Sequence, residues 1–199
     1  HFDYLWIVVT YTLSPIVDSV NLAATSMTPQ VEYSVTVSVR DGHNLSHLNT
    51  VILKVWYDSD GGAPTQGEYD AKTTPDSQTY AVVTYTVSTD AFNLQAGSGT
   101  TWSLGTCQAF TAAEKSAQVG DCVFAFKPGK VARATTGAAK WQIAVKATDA
   151  ASATGFGYDA EGAAMNFYGE VAVAPTGVDW GMLALGVDFG VSTKRSISS

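Results

Sequence analysis

The chain has 199 residues, of which 46% are hydrophobic and only 15% are charged. Its formal net charge of -7, with 11 Lys and Arg in total, leaves no basic surface for nucleic acid phosphates or anionic membranes. An aromatic content of 11% excludes a disordered chain, because that much apolar surface does not stay solvated. The composition therefore indicates one large folded domain, or two small ones, with a sizeable core.

The first 13 residues carry large apolar side chains on both faces of a predicted strand. The residues that we expect to make its contacts are Leu5, Trp6, Ile7, Val8, Val9, Tyr11 and Leu13. Such a strand needs cover on both sides. It is either the first strand of its own domain or a strand donated to a neighbouring copy by β-augmentation. Repeated donation from head to tail would build an open filament. Since the chain begins with His1 and shows no signal peptide, we expect a mature or trimmed product.

Alternating apolar and polar residues predict several half-buried strands after this segment. The clearest pattern runs over residues 31–40, where every odd position is apolar and every even one is polar. Similar patterns occupy 51–57, 80–87, 122–126 and 141–147, and a later face includes Phe167, Val171 and Val173. Glycine-containing stretches, including 58–64, 97–99 and 155–157, are predicted to be turns, and 148–165 a long loop. Many short strands without intervening helices favour an antiparallel β-sandwich.

Two cysteines and one short helix are predicted to form a closed loop. Cys107 and Cys122 lie in a Ser- and Thr-rich chain with few charges, which favours a disulfide and an oxidising, extracellular compartment. Between them, Thr111 and Glu114 have the spacing of a capping box, which predicts a helix that ends before Gly120.

Three stretches give the chain a family resemblance: residues 14–20 with 26–29, residues 48–61, and the Trp-led strand that ends in an Ala-Thr-Asp turn at 141–150. They resemble immunoglobulin-like domains of prokaryotic, especially archaeal, cell-surface and S-layer-type proteins. Residues 178–183 are similar to the segment that follows such domains. The resemblance covers about two thirds of the chain. It implies an immunoglobulin-like sandwich, export and an architectural role, and surface filaments whose subunits exchange an N-terminal strand fit the chain as a whole.

Few residues of the sequence suggest a catalytic or metal-binding site. His43 and His47 have the spacing of one helical face, but the neighbouring strands and Gly42 favour a loop with two exposed imidazoles over a zinc site. Asp58 and Asp60 suit Ca²⁺ by ligand type, yet the run lacks the distant glutamate of an EF-hand loop, so a solvated turn is the simpler interpretation.

Two further features concern the surface. Asn44 opens an N-glycosylation sequon. Trp102, in a Gly- and Thr-rich loop, is the best candidate for an exposed sugar-stacking ring.

The sequence therefore predicts an all-β, immunoglobulin-like antiparallel β-sandwich with one short helix in a disulfide-closed loop. Residues 1–13 are expected to be the intersubunit strand, 14–177 the sandwich and 178–199 a C-terminal strand or tail. We expect a structural subunit of an extracellular homopolymeric filament or surface layer whose partners are copies of itself. The alternative is a monomeric adhesion or carbohydrate-binding module. We expect no enzyme activity, no nucleic acid partner, no transmembrane segment and no cofactor, with Ca²⁺ at Asp58 and Asp60 left open as the exception.

Overall fold

A computed structural model describes residues 13–96 and 102–169. The strands are β1 (Ile16–Leu22), β2 (Ser26–Met27), β3 (Tyr33–Arg40), β4 (Leu48–Asp58), β5 (Tyr80–Thr86), β6 (Ala91–Gln95), β7 (Ser103–Leu104), β8 (Val119–Lys127), β9 (Lys140–Asp149), β10 (Thr154–Tyr158) and β11 (Ala164–Met165). The helices are α1 (Gln66–Ala71) and α2 (Ala112–Lys115), and a 3₁₀ turn spans Leu45–His47. These strands lie in one compact unit that ends at Tyr168, so the predicted boundary at residue 177 lies outside the described residues.

Two antiparallel sheets face each other across a shared core. One has the strand order β1-β3-β8-β7, and the other has the order β10-β9-β4-β5-β6. A short parallel pair, β2 with β11, lies outside both sheets. The core takes Val35, Val37 and Phe124 from the first sheet and Leu53 and Ile143 from the second, each fully buried. The prediction of an all-β, antiparallel, sandwich-like fold is therefore confirmed.

The burial of β3 follows from its alternating sequence. Its odd residues Val35, Val37 and Val39 are fully buried, and the even residue Thr36 is exposed. Because successive side chains in a strand point to opposite faces, this pattern fixes the register against β8. A slip of one residue would expose the whole apolar set.

Both helices begin with a capping box. The side chain of Thr111 accepts a hydrogen bond from the backbone N–H of Glu114, and the Glu114 carboxylate accepts one from the backbone N–H of Thr111, as the sequence predicts. Thr65 and Glu68 make the same pair at α1. The side chain of α1 that reaches inward is Tyr69, which packs over the outer face of the five-stranded sheet.

Strand β1 closes one side of the sandwich because two glycines of β10 let it approach. A Cβ atom at Gly155 would lie 2.1 Å from the carbonyl oxygen of Pro15, and one at Gly157 would lie 2.6 Å from Cγ1 of Val17. Residues 155–157 are therefore part of a strand, and the predicted turn at this position is wrong. The predicted loop over 148–165 is wrong for the same reason, since it contains both β10 and β11.

The predicted disulfide is absent, because Cys107 and Cys122 are free thiols. An antiparallel bridge joins Gln108 to Val123, which places Cys122 opposite position 109 rather than 107. Diagonal neighbours of this kind have Cα atoms about 7–8 Å apart, beyond the ~4.4–6.8 Å usual for a disulfide. The Sγ atom of Cys107 instead contacts the backbone of Ala125 at 3.3–3.4 Å.

Two smaller expectations are also wrong. Gly120 does not end the helix, because β8 already begins at Val119. Phe167 lies in no strand and its side chain is 84% exposed, whereas Val171 and Val173 lie outside the described residues.

Candidate functional site

The intersubunit strand proposed from the sequence lies almost entirely beyond the part of the chain that the structure describes. Leu5, Trp6, Ile7, Val8, Val9 and Tyr11 are outside it, and only Leu13 is inside. The Leu13 side chain is 57% exposed and lies against Gly42, where an added Cβ would come within 2.4 Å of Cδ1. The chain therefore enters the sandwich at the end that carries the β3–β4 loop.

Three of the four outer strands carry features that protect a sheet edge from pairing. Strand β1 has a bulge between Val17 and Ser19, and it packs against β10, which covers both edges on that side. Strand β7 has only two residues. Short strands, bulges and coverage are the common ways in which natural sheets avoid edge-to-edge association.

Strand β6 is different. Its five residues, Ala91–Gln95, include no charged residue and no proline, and they pair with β5 without a bulge. Its outer side has no strand partner within the described residues. Phe92 stacks on Tyr85 with ring centroids 4.6 Å apart, so the strand is firmly anchored to the core. Within residues 13–96 and 102–169, strand β6 is therefore a regular edge without a bulge, a charged residue, a proline or a strand partner on its outer side.

The two histidines lie close together at the loop end where the chain enters. The ring centroids of His43 and His47 are 4.7 Å apart and the ring planes are nearly parallel, at 3°. With Asp149, Ala150 and Ala151 they line an open cavity of about 340 Å³ between the β3–β4 loop and the β9–β10 turn. A hydrogen bond of 2.9 Å from the N–H of Ala150 to the carbonyl of His47 holds the two loops together.

A buried aspartate supports this histidine pair. The side chain of Asp41 is 1% exposed, and its Oδ1 accepts a hydrogen bond of 2.8 Å from the backbone N–H of His43. The same oxygen lies 3.7 Å from Nδ1 of the His43 ring. Oδ2 of Asp41 is the one buried side-chain oxygen or nitrogen without a hydrogen-bond partner among the described residues. Sequence analysis missed Asp41, although it directly follows the strongly patterned strand β3.

The other sequence-predicted site residues lie in separate places. Asp58 and Asp60 use their Oδ1 atoms to accept hydrogen bonds from the backbone N–H groups of Asp60 and Gly62, which shapes a turn. Across residues 13–96 and 102–169, no group of three or more His, Cys, Asp or Glu side chains is arranged to hold a metal ion. Asn44 is half-buried at the start of the 3₁₀ turn, and its side-chain oxygen accepts a hydrogen bond from the Ser46 hydroxyl.

Trp102 is buried, so the expectation of an exposed sugar-stacking ring at this position is wrong. Its side chain is 6% exposed, packs between Phe126 and Trp141, and donates a hydrogen bond of 2.9 Å to the carbonyl of Ser77. Aromatic side chains do reach the surface on β10, where the rings of Phe156 and Tyr158 are 6.1 Å apart and Tyr158 is 40% exposed.

A second, larger cavity of about 620 Å³ lies between the loops 135–140 and 160–164, next to Thr25. The charged side chains in its lining are Lys140 and Glu161, and Lys140 donates to the backbone carbonyl of Glu161 rather than facing a ligand position. This cavity has no convergent set of titratable groups. The histidine cavity is the stronger candidate for chemistry.

Comparisons with known proteins do not assign a family. No family model matches the chain, and no curated protein matches it. Among solved structures, the chain is similar to the sporulation control protein Spo0M from Bacillus subtilis, with a TM-score of 0.44 and 12% sequence identity. The alignment covers 78% of this chain and 50% of that chain, so this chain spans about half the length of its structural neighbour.

No helix among the described residues has the length and apolar character needed to cross a membrane.

Proposed function

We propose that the chain is an immunoglobulin-like structural subunit of an extracellular filament or surface layer, assembled from copies of itself by strand addition. Residues 1–13 are the donated strand, and its contacts come from the apolar side chains between Leu5 and Leu13. The role is architectural, with no enzymatic step. Export to the cell surface belongs to the same proposal, and so does a glycan on the half-buried Asn44.

The strand order supports the immunoglobulin-like part of the proposal. Variable-type immunoglobulin domains pair the strands A-B-E-D in one sheet and G-F-C-C′-C″ in the other. The orders β1-β3-β8-β7 and β10-β9-β4-β5-β6 follow the same scheme when the nine strands of these two sheets are lettered along the chain, leaving out the separate pair β2 and β11. The cysteine pair that links B to F in antibody domains has no counterpart here, since neither β3 nor β9 contains a cysteine.

The observation that carries the assembly proposal is the unprotected edge of β6. An outer strand that is regular, uncharged and free of proline is a template for another strand. Residues 1–12 precede a sandwich whose described strands form a four-stranded and a five-stranded sheet. A segment whose sequence is apolar on both faces of a strand fits addition to a neighbour's β6.

The energy of such a contact is large enough for a stable polymer. Burying five or six apolar side chains of the donated strand contributes very roughly 8–15 kcal/mol before the entropy of association is subtracted. Backbone hydrogen bonds along β6 would add direction and register. Because the donor and acceptor surfaces differ, a polymer of any length keeps one free donor strand at one end and one free acceptor edge at the other, and growth continues.

The proposal is tested by comparing three variants with the full chain. One lacks residues 1–13, the second carries Asn93→Lys with Gln95→Lys on β6, and the third carries Ser34→Lys with Thr36→Lys. The third is a matched control, because it places two lysines on exposed positions of a strand inside a sheet. Sedimentation velocity over a concentration series and negative-stain microscopy report the assembly.

We expect the full chain and the control to form fibres or sheets, and the truncated and β6 variants to stay monomeric and folded. Lysines on an edge strand disfavour the approach of a second strand without disturbing the core. A full chain that remains monomeric at high concentration, or a truncated chain that still polymerises, would contradict the proposal.

The alternative function, a monomeric adhesion or carbohydrate-binding module, is favoured by one observation. Phe156 and Tyr158 place two neighbouring rings on the outer face of β10, and aromatic faces of this kind stack on sugar rings. Glycan-array binding that disappears in Tyr158→Ala, together with a monomeric full chain, would favour this function over assembly.

A further inference from the structure

We propose that the donated strand turns its odd-numbered residues toward an apolar groove beside strand β6 of a second copy, and its even-numbered residues toward solvent. This inference rests on the proposed strand exchange and names the surface that receives the strand. We call that surface the edge groove, and it is formed by Phe92, Leu94 and Leu104. Its occupant is the segment between Leu5 and Tyr11 of another copy.

The edge groove begins on the inner side of β6. Phe92 and Leu94 are the half-buried residues of this strand, and the three residues that alternate with them are exposed. Both side chains pack against the shared core. The ring of Phe92 meets that of Phe124, which comes from the opposite sheet, with centroids 5.4 Å apart. The apolar core therefore continues up to the β6 edge, where its side chains are only partly covered.

Strand β7 supplies the opposite wall of the groove. Leu104 is half-buried and packs against the core. It pairs with Phe126 of β8, so the two side chains lie on the same, inward face of their sheet. Strand β7 also comes close to β6. A strand added outside β6 would thus place one of its faces over Phe92 and Leu94 and beside Leu104.

The sequence of the donated strand decides which face turns inward. Its odd positions are all apolar, whereas its even positions end in Thr10 and Thr12. Burying a hydroxyl group without a hydrogen-bond partner costs free energy. On the outer face these hydroxyls stay hydrated, on the same side of the sheet as the exposed Asn93 and Gln95. The odd face therefore fits the edge groove, and its residues are Leu5, Ile7, Val9 and Tyr11.

The position of Leu13 explains why the groove belongs to another copy. Leu13 lies against Gly42, and the carbonyl of Pro15 lies against Gly155 of β10. Strands β10 and β6 are at opposite edges of the five-stranded sheet, so four strand spacings, about 19 Å, separate them. An extended chain needs about six residues to cross that distance. Residues 8–13 would serve as this linker, and the complete odd face could not reach the groove of its own chain.

The test compares two neighbouring substitutions in the full chain, Ile7→Asp and Val8→Asp. Both put the same charge in place of a β-branched apolar residue, and they differ in the face that carries it. We expect Ile7→Asp to raise the concentration at which half of the chains assemble by about 100-fold or more, because its carboxylate would enter the apolar groove. Val8→Asp should change that concentration by no more than about threefold. Sedimentation velocity over a concentration series measures both variants.

Two substitutions on β7 test the acceptor side. Leu104→Ala shortens a side chain of the groove, and Ser103→Ala is the matched control at the exposed residue of the same strand. We expect the assembly concentration to rise by about 10-fold in Leu104→Ala and to stay unchanged in Ser103→Ala. Thermal melting at a concentration below assembly confirms that both variants are folded.

Assembly of the full chain and of Val8→Asp, together with its loss in Ile7→Asp, supports the assignment of faces. If the full chain assembles but the two variants are impaired equally, or Val8→Asp is impaired more, the assignment is overturned and strand exchange still stands. Normal assembly of Leu104→Ala would overturn the groove in the same way. If the full chain does not assemble at all, the proposed function fails, and this inference fails with it.

Discussion

Buried carboxylates in this chain differ in how well their oxygens are satisfied. Asp159 is 6% exposed and accepts hydrogen bonds from the backbone N–H groups of Leu22, Glu161 and Gly162 at 2.8–3.0 Å. It thereby ties the end of β1 to the segment that follows β10. Asp41 has a comparable burial but an unpaired oxygen. The Asp159 carboxylate is satisfied by the fold through both oxygens, whereas the Asp41 carboxylate is satisfied through one.

We expect Asp159→Ala to lower the free energy of unfolding by about 2 kcal/mol or more, because it removes charge-assisted hydrogen bonds from three buried or partly buried N–H groups. The exposed Asp60→Ala should change stability by no more than about 1 kcal/mol. Urea unfolding followed by tryptophan fluorescence measures both variants. Equal losses in the two would show that Asp159 is not a structural clamp.

The two cysteines should behave as unreactive free thiols. Burial raises the pKa of Cys107 and, to a greater extent, that of Cys122, so neither forms a thiolate readily near neutral pH. Titration with a thiol reagent should find two thiols per chain in denaturant, with Cys122 protected in the native state. If the denatured, unreduced chain shows no free thiol, a disulfide is present after all.

The cap of α2 should make stability depend on pH. Hydrogen bonds from the side chain and the backbone N–H of Thr111 lower the pKa of Glu114 in the folded state. A lowered pKa stabilises the fold above the unfolded-state value, and this contribution disappears as the pH falls through the folded-state value. Between pH 7 and pH 3, Glu114→Gln should therefore lose less stability than the parent chain. Denaturant unfolding at several pH values tests this, and identical pH profiles would contradict it.

At the scale of elements, β10 approaches the start of β1 closely at Gly155. Ala at position 155 would place its Cβ 2.1 Å from a backbone oxygen, which cannot move without displacing β1. We expect Gly155→Ala to destabilise the protein by about 1–3 kcal/mol.

The control for this substitution is Gly67→Ala in α1, where the nearest atom is 3.9 Å away. That change should stabilise the fold by up to about 1 kcal/mol, because alanine has a higher helix propensity than glycine. Thermal or urea unfolding of the two variants provides the comparison. If Gly155→Ala leaves the free energy of unfolding unchanged, β1 can move away from β10 at little energetic cost.

The elements that the sequence predicts well are those whose pattern is local. The alternation around Val35 and Val37 predicts β3 and its buried face, and the Thr111–Glu114 spacing predicts α2. The same capping spacing at Thr65 and Glu68 was overlooked, since Gly67 weakens the helix signal.

The features that the sequence could not predict depend on distant residues. In the sequence alone, the glycines of β10 indicate a turn, and only their close contact with β1 explains why a strand needs them. The sequence around Trp102 likewise indicates an exposed ring, whereas packing against Phe126 and Trp141 buries it. Similarly, the sequence shows the spacing of His43 and His47, but not the buried Asp41 behind His43. Tertiary contacts decide each of these cases, and no local pattern carries them.

At the scale of the whole molecule, two regions of the described sandwich stand apart. One is the β6 edge, to which we propose that a donated strand adds, and the other is the loop end with the histidine cavity. They are built from different elements, so substitutions on β6 leave the loop end unchanged.

The most direct test of the central claim is complementation of the truncated chain by a separate strand. A chain that lacks residues 1–13 is titrated with a synthetic peptide of residues 1–13, and Tm and peptide binding are measured against a peptide of scrambled sequence. We predict one peptide per chain, a higher Tm, and loss of both effects in Asn93→Lys with Gln95→Lys. A folded, truncated chain that fails to bind the native peptide, or binds the scrambled peptide equally well, would contradict strand exchange.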